Sequence, residues 1–172
     1  MDTKNKEYKS PISALLWSLA LPGFGQIYNG QVILGVIFMI WELGINWSSK
    51  LNLSIMETFH GDFQKAHDVI NYGWGMFYPS IYCFSMWQAY NKSITINAHL
   101  EGKQNKETKL TGLFFGITVG MNLGIYWHTP FGHIMQHIEV FGSPVFLGSI
   151  GGLIFGLLGH LIEKNLQKKS NK

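Results

Sequence analysis

Residues Leu21–Gly35 read LPGFGQIYNGQVILG. They join a short apolar run, Ile12–Leu21, to a long one that begins at Val32. Whether this stretch is an exposed loop between two membrane spans or a turn held at one membrane face decides the number of crossings. Ten helical residues extend about 15 Å, half of a hydrocarbon core of roughly 30 Å. Pro22 and Gly23 end any helix through Leu21, because proline cannot continue the hydrogen-bond ladder and glycine tolerates positive φ. A non-helical backbone at that depth has to be satisfied by protein or water, and Gly23, Gly25, Gln26 and Asn29 offer the means.

Working outward, the 172-residue chain is 47% apolar and only 13% charged, which is more apolar than ordinary soluble domains. All 13 basic residues are lysines, and all but Lys50 and Lys65 crowd into Met1–Ser10, Asn91–Lys109 and Lys164–Lys172. The absence of arginine and the abundance of Asn and Lys suggest an AT-rich bacterial genome. A net charge of +3 confined to the flanks of apolar runs argues against nucleic-acid binding. The single cysteine, Cys83, excludes an intrachain disulfide. Lys4–Lys9 before an apolar run resemble a signal peptide, but no small-residue cleavage site follows, so the segment is expected to stay in the mature chain.

Four segments read as transmembrane helices: Val32–Trp47, Tyr72–Tyr90, Leu110–Trp127 and Pro144–Ile162. Lysine distribution decides the status of Ile12–Leu21, since cytoplasmic flanks collect basic residues. If that run crosses, only eight lysines can face the cytoplasm; if it does not, eleven do, leaving Lys50 and Lys65 outside. Trp47, Trp74 and Trp127 then all fall at outer helix ends, where aromatic rings favour the interface. The expected fold is therefore all-α: an integral membrane bundle of four transmembrane helices plus a short N-terminal interfacial or re-entrant helix. Both termini face the cytoplasm. Within this single membrane domain, residues 12–47 form a hairpin-like unit, 48–71 an outer amphipathic segment, 72–162 the remaining three spans and 163–172 a basic tail.

The stretch PGFGQIYNGQ, with Gly35 beyond it, resembles the Pro-Gly-x-Gly-x-x-Tyr-x-Gly signature of the two-transmembrane-helix domain family. The matching residues are Pro22, Gly23, Gly25, Gln26, Tyr28, Gly30 and Gly35, within residues 13–47. A similar stretch precedes the first helix of some bacterial sugar-transport permeases. The resemblance implies a membrane helical hairpin and no particular activity.

Glycine recurs every fourth residue in the last two spans, at Gly112, Gly116, Gly120 and Gly124 and again at Gly148, Gly152 and Gly156, with His160 continuing the second stripe. Four-residue spacing puts each set on one helix face, where the missing side chains let a neighbouring backbone approach. Packing of these two helices on each other is the expectation, with pairing between protomers as the alternative.

Glu42 lies about 16 Å along its helix from Gln31, near the bilayer centre, where an ionised acid is costly. Asn46 follows one turn later, and Asn122 reaches a similar depth on its own helix. The three are candidates for an intramembrane polar cluster, either a protonated packing element or a route for a proton or solute.

His60, His67, His128, His133 and His137 fall on the outer side. His133 and His137 are spaced i, i+4, and with His128 or Glu139 as a third ligand they form a candidate site for a divalent metal or haem. The alternative is ordinary interfacial histidines, and no cofactor is the primary expectation. Between the first two spans, Met56, Phe59, Phe63, Ala66 and Ile70 recur at helical spacing with Glu57, Asp62, Lys65 and Asp68 facing away, which predicts an amphipathic outer helix interrupted near Gly61.

No phosphate-binding glycine loop, nucleophile elbow or paired catalytic carboxylates occur in the sequence. The expected function is non-enzymatic, exerted through helix packing or partner association in the bacterial cell membrane. The partners are the lipid bilayer and either a second copy or another membrane protein. A small transporter or accessory permease subunit built around Glu42 is the alternative, and an outer-face metal or haem protein a further one.

Overall fold

A computed structural model describes residues 7–104, 108–134 and 138–170. The described residues are mostly helical and contain no strand: α1 (Pro11–Ala20), α2 (Phe24–Tyr28), α3 (Val32–Ser49), α4 (Leu51–His60), α5 (Phe63–Val69), α6 (Tyr72–Gly75), α7 (Tyr78–Leu100), α8 (Thr111–Ile134) and α9 (Pro144–Ser170), with a 3-10 turn at Glu139–Gly142. The chain divides into two compact units, one comprising Met1–Glu42 and Phe84–Lys109, the other Leu43–Cys83 and Leu110–Lys172. Two helices, Val32–Ser49 and Pro144–Lys169, are long and apolar enough to cross a membrane.

In the first unit, α1 starts where Ser10 Oγ accepts the Ser13 N–H at 3.2 Å and Pro11 occupies the first turn, a position that needs no backbone donor. It stops after ten residues at an extended Leu21, so the helix is too short to span, as its sequence length requires. Gly23 takes φ +112°, and a Cβ there would collide with the Gly35 carbonyl oxygen. Gly25 is equally constrained, because its α-carbon faces the Ala14 carbonyl and Ser18 Oγ of α1 and the Ala89 methyl of α7. The glycines of the motif are thus places where backbones touch, and Gly30, at φ +81°, turns the chain into α3.

Polar side chains of that turn are absorbed by α7. Gln26 is fully buried; its Nε2 donates to the Ser85 carbonyl at 2.8 Å and to Gln88 Oε1 at 2.9 Å, while its Oε1 accepts from Ser85 Oγ and Ser18 Oγ. Asn29 Nδ2 donates to the Ala89 carbonyl at 2.7 Å, and its Oδ1 accepts from Ser93 Oγ at 2.7 Å. Two further asparagines of α7 clamp backbone: Asn97 exchanges two hydrogen bonds with Lys9, and Asn91 two with Lys109.

In the second unit, α8 and α9 run antiparallel in backbone contact. Gly112 meets Gly159, Gly116 meets Phe155, Gly120 meets Gly151 and Gly124 meets Leu147, so each step of four along α8 is a step of four back along α9. On α9, Gly148, Gly152 and Gly156 instead accommodate the side chains of Ile125, Met121 and Ile117, and the backbone contacts fall on Gly151 and Gly159. The expected stripe on α9 is therefore a side-chain groove, with the tightest contact displaced to the neighbouring face. Glu163 of α9 closes the pair by accepting the orphan N–H groups of Thr111 and Gly112 at 3.1 and 2.9 Å, placing negative charge at the N-terminus of α8.

The segment 48–71 breaks where Gly61 adopts φ +80° and caps α4, and Asp62 caps α5 by accepting the Lys65 N–H at 3.0 Å. One expectation is reversed here. Glu57, read as facing away, is buried and lies 2.8 Å from Lys65 Nζ, whereas Phe59 is 85% exposed. The two short helices fold on each other, Ser54 Oγ donating to the Ala66 carbonyl at 2.7 Å, and this rotates the apolar stripe partly outward.

Candidate functional site

Three side chains from three elements of the second unit converge beyond the apolar run of α8. His67 comes from α5, Tyr72 from α6 and His128 from α8. Gly61 and the Asp62 cap set the direction of α5. The start of α6 is anchored by the Asn71 N–H donating to the Ser49 carbonyl at 2.8 Å. His128 is carried past Trp127 because α8 continues through Pro130 to Ile134.

His67 Nδ1 is 2.6 Å from His128 Nε2 and 2.8 Å from the Tyr72 hydroxyl, which is itself 3.1 Å from His128 Nε2. Tyr72 and His128 stack with an interplanar angle of 16°. The other nitrogen of His128, Nδ1, lies 2.5 Å from the Ile125 carbonyl oxygen. A carbonyl can only accept, so Nδ1 carries the proton and Nε2 presents a lone pair to His67 and Tyr72. Burial holds His128 below the ordinary imidazole pKa; the Ile125 hydrogen bond opposes this and the neighbouring His67 adds to it. Burial also pushes the Tyr72 phenol up, with the nearby Asp68 carboxylate adding to the shift.

The cluster opens onto a cavity of about 690 Å3 whose walls include Asp62, Phe63, Thr129 and Glu139. Two carboxylates thus border the approach to the imidazoles. Among the described residues no three His, Cys, Asp or Glu side chains gather as a metal site, and the third group at this cluster is a phenol.

The other sequence-derived candidates distribute as follows. Pro22, Gly23, Gly25, Gln26, Tyr28, Gly30 and Gly35 build the packed turn of the first unit, with the Tyr28 hydroxyl accepting the Ser10 N–H at 3.1 Å. Glu42 is buried. Asn46 accepts the Asn52 N–H at 3.4 Å across the α3–α4 junction. Asn122 Oδ1 and His160 Nδ1 are buried with no hydrogen-bond partner among the described residues. Of the histidine set, His128 is in the cluster; His137 and the side chain of His133 lie outside the described residues.

Sequence reading missed Tyr72 as a partner of His67 and His128, since His128 lies 56 residues or more from the other two and the set carries no motif spacing. It also missed Ser85, Ala89 and Ser93, although their four-residue repeat of small residues was a usable signal for the face that receives the motif. No family model matches the sequence, and no curated protein or solved structure matches it either.

Proposed function

We propose that this chain is a multi-pass protein of the bacterial cell membrane that crosses four times, through α3, α7, α8 as far as Trp127, and α9. Both termini are cytoplasmic, α1 is a shallow inner-face element, and the protein acts without catalysis, by helix packing and partner association. The observation that carries this reading is the apolar outward face of α9: Leu153, Ile154, Leu157, Leu158, Leu161 and Ile162 are each at least half exposed. A surface of that extent is unusual in water and ordinary against lipid. The lysine distribution supplies the orientation.

Single cysteines introduced into a Cys83→Ala background test it. Gln64→Cys and Ile138→Cys are expected to react with an impermeant maleimide on intact cells, and Gln104→Cys and Leu166→Cys only after permeabilisation. Labelling of Gln104→Cys from outside overturns the topology.

A transport reading is favoured by one observation, the buried acid Glu42 in the middle of an apolar helix. On this reading Glu42 lines a route, and Glu42→Gln abolishes proton flux into vesicles while leaving thermal stability unchanged. Loss of folding without a flux phenotype rejects it.

A further inference from the structure

The arrangement of His67, Tyr72 and His128 has a proton deficit. With His128 Nδ1–H committed to the Ile125 carbonyl, the triangle formed by His67 Nδ1, His128 Nε2 and Tyr72 Oη has three edges, all at 3.1 Å or less. The neutral groups bring at most two protons to it, one on His67 Nδ1 and one on the phenol. One edge is then always a close approach of two heteroatoms with no proton of its own. If the Tyr72 hydroxyl relays between the two rings, the unserved edge is the shortest, at 2.6 Å.

A single cation satisfies all three edges at once. The point equidistant from the three atoms in their plane lies roughly 1.6 Å from each, so an ion at a bond length of about 2.0–2.1 Å sits about 1.2 Å out of that plane. Full tetrahedral angles at that bond length need donors about 3.3 Å apart, so binding spreads the cluster by a few tenths of an ångström. The Ile125 carbonyl already orients His128 in the tautomer a ligand needs, which is the outer-shell arrangement typical of metal-bound histidines. Asp62 and Glu139 line the same cavity as His67 and His128, and their carboxylates favour a cation there.

We propose that His67 Nδ1, His128 Nε2 and Tyr72 Oη bind one first-row divalent transition-metal ion, with the remaining coordination positions facing the cavity; on binding, the phenol releases its proton to solvent and the His67 proton resides on Nε2, so that Nδ1 and Oη present lone pairs to the ion. The donor set of two imidazoles and a phenol oxygen selects zinc, copper, nickel or iron over magnesium and calcium, which prefer all-oxygen shells. This set differs from the one suggested by the spacing of His133 and His137, and it does not depend on which way the chain crosses the membrane.

The test uses full-length protein in detergent, purified through an affinity tag that contains no histidine and stripped with a chelator. Titration with Zn2+ alone is expected to saturate at one equivalent per chain. Co2+ alone is expected to give the visible absorption of a low-coordinate site. His67→Gln and His128→Gln should each weaken Zn2+ binding about a hundredfold and Tyr72→Phe about tenfold or more, while His60→Ala leaves it unchanged. Because Tyr72→Phe keeps the stacked ring and His67→Gln keeps a polar side chain of similar reach, near-wild-type helicity and melting temperature separate ligand loss from unfolding. The proposal is overturned if the wild-type protein binds no stoichiometric Zn2+. It is equally overturned if His67→Gln and Tyr72→Phe bind as wild type, or if only His133→Ala with His137→Ala abolishes binding. The titration is made in detergent, so a failed topology experiment leaves it standing, and a failed titration leaves the topology standing.

Discussion

Gly120 and Gly151 face each other backbone to backbone: a Cβ on either would strike the carbonyl oxygen of the other. The contact is reciprocal, so neither helix can yield without moving the whole α8–α9 pair. Gly120→Ala is expected to destabilise the protein by about 1–3 kcal/mol, the usual cost of overpacking, and Gly120→Leu by more. Gly44, by contrast, lies in α3, where a methyl group on its α-carbon would have no described atom within 4 Å, so Gly44→Ala should stabilise by about 0.5–1 kcal/mol. Thermal unfolding in detergent of the two alanine variants, side by side, checks the opposite signs.

Gln26 is held by four hydrogen bonds and has no exposed surface. Replacing it with Leu removes partners from Ser18, Ser85 and Gln88 together, each buried polar group left unpaired costing roughly 1–3 kcal/mol. Gln26→Leu should therefore lower expression and melting temperature far more than Tyr28→Phe, which gives up a single bond to the Ser10 N–H. Equal effects of the two substitutions would contradict the central place of Gln26.

Glu163 accepts two N–H groups that the first turn of α8 cannot satisfy internally. Glu163→Ala is expected to fray that turn and cost about 1 kcal/mol, the typical value of a lost helix cap. Faster amide hydrogen exchange confined to residues near Thr111 and Gly112 is the expected signature; uniform acceleration along α8 would speak against it.

Lys65 lies on Glu57, and the hydrogen bond and charge of that carboxylate raise the lysine above its ordinary pKa of 10.5. A group raised on folding contributes stability that is fully present below its unfolded pKa and is lost as pH rises through the folded one. Melting temperature should thus fall above about pH 10.5 in the wild type. Lys65→Met should start lower and lose this alkaline dependence. An unchanged alkaline slope in Lys65→Met would remove the pair as its source.

How much of the architecture was legible depended on whether its cause was local. The ten-residue limit of α1, the break at Pro22–Gly23 and the interruption at Gly61 are set by backbone chemistry within a few residues, and each appears where the sequence puts it. Glycine periodicity located a contact face on α8 and on α9, where Gly148, Gly152 and Gly156 lie against α8 side chains, but the closest backbone contacts of α9 fall on the adjacent face that carries Gly151 and Gly159. Both faces of α9 are lined with small residues, and only docking against α8 chooses between them. Glu57 was misread for a related reason: amphipathic periodicity assumes one straight helix on a surface, and the fold of α4 onto α5 buries the acid against a lysine instead.

The sequence by itself determined the helical class, the breaks at Pro22–Gly23 and Gly61 and the α8 glycines on which backbones meet, because propensity, capping and steric limits act over one or two turns; the span read at Tyr72–Tyr90 is instead broken between α6 and α7, and α7 runs on to Leu100. Only the tertiary structure decided that His67, Tyr72 and His128 share one point. His67 and His128 are 61 residues apart with two helices between their elements, and a contact of 2.6 Å over that separation is fixed by packing geometry that no local pattern records.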